Sequence, residues 1–111
     1  MVAPRQSVAR TEAFFRSVNE GIAEASQQFE VEQAEFLCEC GDPSCTHRLE
    51  VSLDEYERVR EHPTRFLVRH GHEEREVEEV VQRRRRYAIV DKVDEVAAAI
   101  VRRMNPRHGT T

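Results

Sequence analysis

Three cysteines fall in the pattern Cys38-x-Cys40-Gly41-x-x-x-Cys45. Cysteines two apart on an extended chain project from the same face, so both sulfurs of the first pair reach toward one point. Gly41 and Pro43 let the chain reverse and bring Cys45 back to that point. Three converging thiolates repel one another unless a cation neutralises them. Zn²⁺ suits such soft ligands in a tetrahedral site, with Zn–S near ~2.3 Å. The spacing therefore predicts a metal-binding knuckle. Three thiols buried as small hydrophobes are a poorer reading, because Glu39, Asp42 and Ser44 interleave the cysteines. An iron–sulfur cluster lacks its fourth cysteine. An odd number of cysteines cannot pair off as disulfides within the chain, and clustered thiols in a reducing compartment point to metal or redox chemistry.

A tetrahedral site needs a fourth donor, and His47, His70 and His72 are the candidates. His47 lies two residues after Cys45 and could close the site locally. His70 and His72 follow an apolar segment, Phe66-Leu67-Val68, which could run beside the knuckle. His62, before Pro63, and His108, near the end, read as solvated side chains. Periodicity alone does not choose among the three candidates.

Positioning these residues requires an α+β fold. Val8, Thr11, Phe15, Val18, Ile22, Ala25 and Phe29 recur at steps of three and four, which predicts a long amphipathic helix over residues 7–29 with Ser7 as N-cap. Its stripe would pack on the domain's own core, with a homodimer seam as the alternative. Residues 34–40 and 46–53 alternate as two strands of a hairpin with the cysteines at its tip. Residues 53–60 read as a short helix entered through Ser52 or Asp54 and ended by His62-Pro63, with Tyr56 and Val59 inward and Glu57 and Arg60 on a solvated surface. Strands follow at 66–70, 76–81 and 87–93. Asp94 caps a last helix over 95–104 striped by Val96, Ile100 and Met104, and Asn105-Pro106 stops it. The domain boundaries read as a flexible N-terminus at 1–9, one α+β domain at 10–104 and a flexible tail at 105–111. The fold expected is a long N-terminal helix across a small, mostly antiparallel sheet carrying the zinc knuckle, plus a C-terminal helix.

Composition bounds the function classes. With 111 residues, 39% hydrophobic and 34% charged, the chain supports one modest core under a heavily charged surface. No run of about 18 apolar residues is present to span a membrane, and residues 1–10 lack the apolar core of a signal peptide, so a cytoplasmic protein is expected. A net charge of −4 argues mildly against general nucleic-acid binding. The run Arg83-Arg84-Arg85-Arg86 reads as a solvated turn balanced by upstream glutamates, with no aromatic platform for stacking bases. Lys92 is the only lysine, an arginine bias of the kind GC-rich bacterial coding produces. Phosphate loops, serine elbows and His-Glu-x-x-His pairs are absent, and no catalytic residue is assigned.

Two resemblances bear on the knuckle. Residues 38–45 resemble the zinc knuckle of post-SET segments in histone methyltransferases, where three cysteines form a clamp and a distant segment supplies the fourth ligand. That likeness covers only those residues and implies only that the spacing works as a three-point clamp. More broadly, the chain resembles a family of small uncharacterised actinobacterial proteins. The pattern runs from an Asn19-Glu20 step in the first helix through Phe36-x-Cys38-Glu39-Cys40-Gly41-Asp42-x-x-Cys45 and Leu53-x-Glu55-Tyr56-Glu57-x-Val59-Arg60. It continues with Phe66-Leu67-Val68, Gly71-His72-Glu73 and Tyr87-x-x-Val90-x-Lys92. The resemblance implies no activity, and it favours His72 as fourth ligand. This chain departs from the pattern at Arg69-His70, where Ala-Pro or similar is expected, and in carrying His47. The expectation is a non-enzymatic zinc module with structural zinc and a regulatory or protein-interaction role, working with an unidentified protein partner. A DNA-binding regulator and a redox sensor that releases zinc on oxidation are the rivals.

Overall fold

A computed structural model describes residues 4–107. The elements run α1 (Arg5–Gln28), β1 (Gln33–Leu37), β2 (Arg48–Ser52), α2 (Leu53–Arg60), β3 (Arg65–Val68), β4 (Glu78–Arg83), β5 (Ala88–Lys92) and α3 (Glu95–Arg103). The fold is α+β, with two small antiparallel sheets rather than one: the β1-β2 hairpin, and a three-stranded sheet in the order β3-β5-β4. A single cluster of buried apolar residues draws on every element but β4, from Val8 and Ala23 on α1 to Val101 on α3, and the half-buried Val80 of β4 packs against it. Phe36 of β1 stacks on Tyr56 of α2 with ring centroids 4.3 Å apart, which fixes the hairpin on the short helix.

The short elements obey local rules. The Ser52 side chain accepts from Glu55 N and so caps α2, and Asp54 and Glu55 stand in its first turn opposite Arg58 and Arg60 in its last. The Asp94 carboxylate accepts from Ala97 N and caps α3. Tyr56 and Val59 pack inward as expected. Val80 and Gln82 straddle a bulge opposite β5, which lets β4 end in the exposed arginine turn at 84–86.

The long helix departs from expectation. It begins at Arg5 with Pro4 as N-cap and no side-chain cap, so Ser7 is already helical and residues 5–9 are its first turns rather than a flexible lead-in. Proline suits this place because the first helical amides lack intrahelical acceptors. The buried side carries Val8, Ala9, Glu12, Ala13, Phe15, Arg16, Asn19 and Ala23. Val18 is 37% exposed and Phe29 78% exposed, so the apolar stripe read from sequence is rotated from the true core face. The true face contains three polar residues that periodicity cannot recognise as interior. Gly21 sits in mid-helix with open space around the position of a Cβ. Among the described residues nothing requires a glycine there, and it costs about 1 kcal/mol relative to Ala.

Similar corrections apply elsewhere. β1 ends at Leu37, so Cys38 and Cys40 lie beyond the hairpin ladder, and Leu53 opens α2 instead of closing β2. The inner residues of α3 are Ala97, Ala98 and Val101, while Val96 and Met104 are exposed. Arg60 is buried against Glu20 at 2.5 Å, not solvated. Asn105 and Arg107 are packed rather than tail: Arg107 pairs with Glu20 at 3.0 Å and Glu57 at 2.8 Å, and hydrogen bonding to Glu57 holds its guanidinium firmly charged. His108 and the rest of the expected tail lie outside the described residues. Among the described residues, no helix is long and apolar enough to cross a membrane.

Candidate metal centre

The knuckle is held by a hydrogen bond that continues the hairpin register and by bonds to β3. Cys38 N donates to His47 O at 3.0 Å, and Glu39 N donates to Leu67 O at 2.7 Å. Leu67 N in turn donates to Glu39 Oε1 at 2.9 Å, so residues 38–40 are strapped to β3. The Glu39 side chain is fully buried between the two cysteines. Its other oxygen accepts from Asn19 Nδ2 at 2.8 Å. Asn19 also brackets the backbone of Leu37, donating to its O at 2.9 Å and accepting from its N at 2.8 Å. Burial pushes the Glu39 carboxyl up, against the opposing pull of Asn19, the Leu67 amide, Arg60 and Arg16. Arg16, itself lowered to about 10 by burial and by Arg60, donates to Pro63 O and Val101 O at 2.7 Å each. Asn19 of α1 thus ties the knuckle to β1, and Glu39 ties it to β3.

His72 reaches the site through a tight turn. His72 N donates to Arg69 O at 2.9 Å, and Gly71 between them has φ +87°. A turn of this kind needs a positive φ at its third residue, a conformation Gly adopts without steric cost. The turn carries the chain from the end of β3 straight to the cysteines. His72 Nδ1 lies 3.6 Å from Cys38 Sγ and 3.7 Å from Cys45 Sγ. The ligand atoms of Cys38, Cys40, Cys45 and His72 all lie within 4.8 Å of one another. Tetrahedral zinc with Zn–S near ~2.3 Å and Zn–N near ~2.05 Å sets an S···N edge of about 3.6 Å and an S···S edge of about 3.8 Å. The four residues are close enough to hold one metal ion.

The other two histidine candidates fall outside this cluster. His47 is exposed, with Arg69 Nη1 2.7 Å from its Nε2, and its ring stands edge-on to His72 with centroids 5.1 Å apart. His70 Nε2 lies 2.8 Å from Arg84 O on the outer side of the turn.

The protein prepares the sulfurs for charge. Arg69 N donates to Cys38 Sγ at 3.2 Å. The amides of Asp42 and His47 bond the sulfurs of Cys40 and Cys45. Amide donors aimed at sulfur favour the thiolate. Hydrogen bonding from Cys38 holds the Cys40 thiol at about 5 despite burial, with the Asp42 amide helping. Hydrogen bonding to Cys40 and burial push Cys38 up, and burial first and then hydrogen bonding to Cys40 push Cys45 up. Without a cation the cluster therefore favours one negative charge. Holding all three thiolates calls for a cation.

Gly41 closes the knuckle against α1. A Cβ at this position would stand 2.7 Å from Val8 Cγ1 and 3.3 Å from Glu74 Oε1. Sequence spacing read this glycine as a turn residue; its decisive role is close approach. Gly41→Ala is expected to cost about 1–3 kcal/mol, as overpacking of a filled site does. Adding Val8→Ala should recover part of that loss in urea unfolding, and an unshifted urea midpoint in Gly41→Ala alone would contradict the packing argument.

No family model, curated protein or solved structure matches the chain. The functional argument therefore rests on the site.

A second polar cluster was missed entirely by sequence reasoning. The buried Lys92 ammonium on β5 pairs with both Glu12 on α1 and Glu78 on β4. Glu78 Oε2 also accepts from Glu74 N at 2.9 Å, whereas Glu12 Oε2 has no hydrogen-bond donor among the described residues. Lys92 and Arg16 lie 5.2 Å and 4.7 Å from the Phe66 ring centroid. The available signal was Lys92 itself, one lysine in a chain that otherwise uses arginine.

Proposed function

We propose that the protein is a small zinc module in which Cys38, Cys40, Cys45 and His72 bind one structural Zn²⁺. The reading is carried by one observation: four protein donors converge within 4.8 Å, enough to fill a tetrahedral shell. Three thiolates and one imidazole leave no position for water or substrate, which distinguishes a structural site from a catalytic one. The thiolate-rich donor set favours zinc over the harder divalent ions, which prefer oxygen. The metal joins the knuckle to the turn after β3, so its role is to hold the hairpin on the three-stranded sheet. The module then acts through its surface, in regulation or protein interaction, and not as an enzyme. Reduced, unpaired thiols suit a cytoplasmic setting.

The test is cobalt substitution. Co²⁺ in the purified protein should give the intense visible bands of a tetrahedral thiolate-rich site, unchanged when azide or cyanate is added. A spectrum that shifts on anion addition would reveal an open coordination position and overturn the structural reading.

A further inference from the structure

The side of α1 turned away from the core carries a short row of apolar and small residues between polar flanks. Phe14, Val18, Gly21 and Ala25 follow one another at steps of four, three and four, all exposed, with Phe14 62% exposed. Gly21 forms a notch between Val18 and Ala25, and among the described residues nothing lies within 4 Å of the position a Cβ would take. Such a glycine is what a close approach by another backbone or ring requires. Arg10 and Glu24 flank the stripe on the same side, both exposed, and neither has an ion-pair partner among the described residues.

We propose that the protein forms a two-fold dimer in which α1 packs antiparallel on α1 of a second copy, with Phe14 of each seated in the Gly21 notch of the other. The charges decide the orientation. Parallel pairing would put this flank of the two copies on opposite sides of the seam, so that neither Arg10 nor Glu24 would meet an opposite charge across it. An antiparallel pair with its axis between Ser17 and Val18 sets Phe14 against the partner's Gly21 and Arg10 beside the partner's Glu24. Both contacts then occur twice, as an isologous interface requires. Phe14 and Gly21 are seven residues apart, about 10 Å along the helix, so two aromatic knobs and two notches alternate along one short seam. Pro43 of the knuckle lines the same groove as Arg10 and Phe14, which places the seam alongside the metal centre.

Sedimentation velocity across a concentration series tests this. The wild-type chain is expected at twice its 12.9 kDa mass, and a single-chain mass persisting up to about 100 µM would overturn the proposal. Gly21→Ala separates interface from fold. It should raise the melting temperature of the isolated chain, because Ala is the better helix former, yet weaken the dimer by about tenfold or more in Kd by filling the notch. A Gly21→Ala dimer as tight as wild type would place the interface elsewhere and overturn the assignment. Arg10→Glu should likewise weaken association by about fivefold to tenfold, and Arg10→Glu with Glu24→Arg should restore it. Failure of that restoration would overturn the antiparallel register.

Discussion

Stripping the metal with a chelator is expected to lower the melting temperature by about 15 °C or more, and refilling with zinc should restore it. The apparent binding free energy of structural zinc in small domains is about 10–16 kcal/mol near pH 7, while a domain of this size is stable by only about 5–15 kcal/mol. A loss of even ~4 kcal/mol corresponds to about 15 °C here. The consequence has a location. Residues 38–40 are bound to β3 and α1 through Glu39 and Asn19, and the buried Glu39 carboxylate is tolerable only while those bonds hold. Without the ion, the knuckle loses its tie to His72, and amide exchange should rise first in the hairpin and the 69–72 turn. The three-stranded sheet keeps its own ladder, so its amides should be released later. Equal loss of protection in both sheets would contradict this order.

Lys92→Met carries the second large expected effect, a loss of about 3–5 kcal/mol in urea unfolding. The ammonium is the one cation facing the carboxyls of Glu12 and Glu78 among the described residues, and it balances one negative charge in this buried cluster. Removing it leaves two buried carboxyl groups with no cation between them, whereas removing the whole cluster does not. Lys92→Met combined with Glu12→Leu and Glu78→Gln should therefore recover most of the loss, and Gln at 78 keeps an acceptor for the Glu74 amide. Glu12 also sets a pH dependence. Burial raises its carboxyl well above the ordinary 4.5, against Lys92 and with Glu78 pushing the same way. Below 4.5 both folded and unfolded forms are protonated and the group is neutral to stability. As pH rises above 4.5, the unfolded chain ionises freely and the folded one resists, so stability falls until the folded group also ionises. Glu12→Gln should consequently gain stability over wild type as pH rises from 4 to 8. A difference independent of pH would show that folding leaves the Glu12 carboxyl at its unfolded value and would contradict the upward shift.

The readability of this chain divides along physical lines. The knuckle was legible because cysteine is rare and its spacing is constrained by the geometry of a single ion. The hairpin, α2 and the capped start of α3 were legible because alternation, Ser52 and Asp94 act locally. The face of α1 was not. Its core side holds Glu12, Arg16 and Asn19, whose partners lie on β5, in the segment after α2, on α3 and in the knuckle. Hydrophobic periodicity discards such residues, and it selected instead Val18 and Phe29, which are exposed. The same error affected α3 through Val96 and Met104. Glu39 illustrates the point most directly: a carboxylate between two cysteines argues by composition against a buried site, yet it is fully buried and straps the knuckle to β3. Choosing among His47, His70 and His72 needed tertiary information too, since the choice depends on the type of turn that Gly71 permits.

The central claim is that three cysteines and His72 share one zinc. Metal content of the purified protein, measured alongside His72→Ala, His47→Ala and His70→Ala, addresses it most directly. One zinc per chain is expected in wild type and in the His47 and His70 variants, with His72→Ala binding weakly and losing its metal to mild chelation. Full retention in His72→Ala, together with loss in His47→Ala, would contradict the assignment.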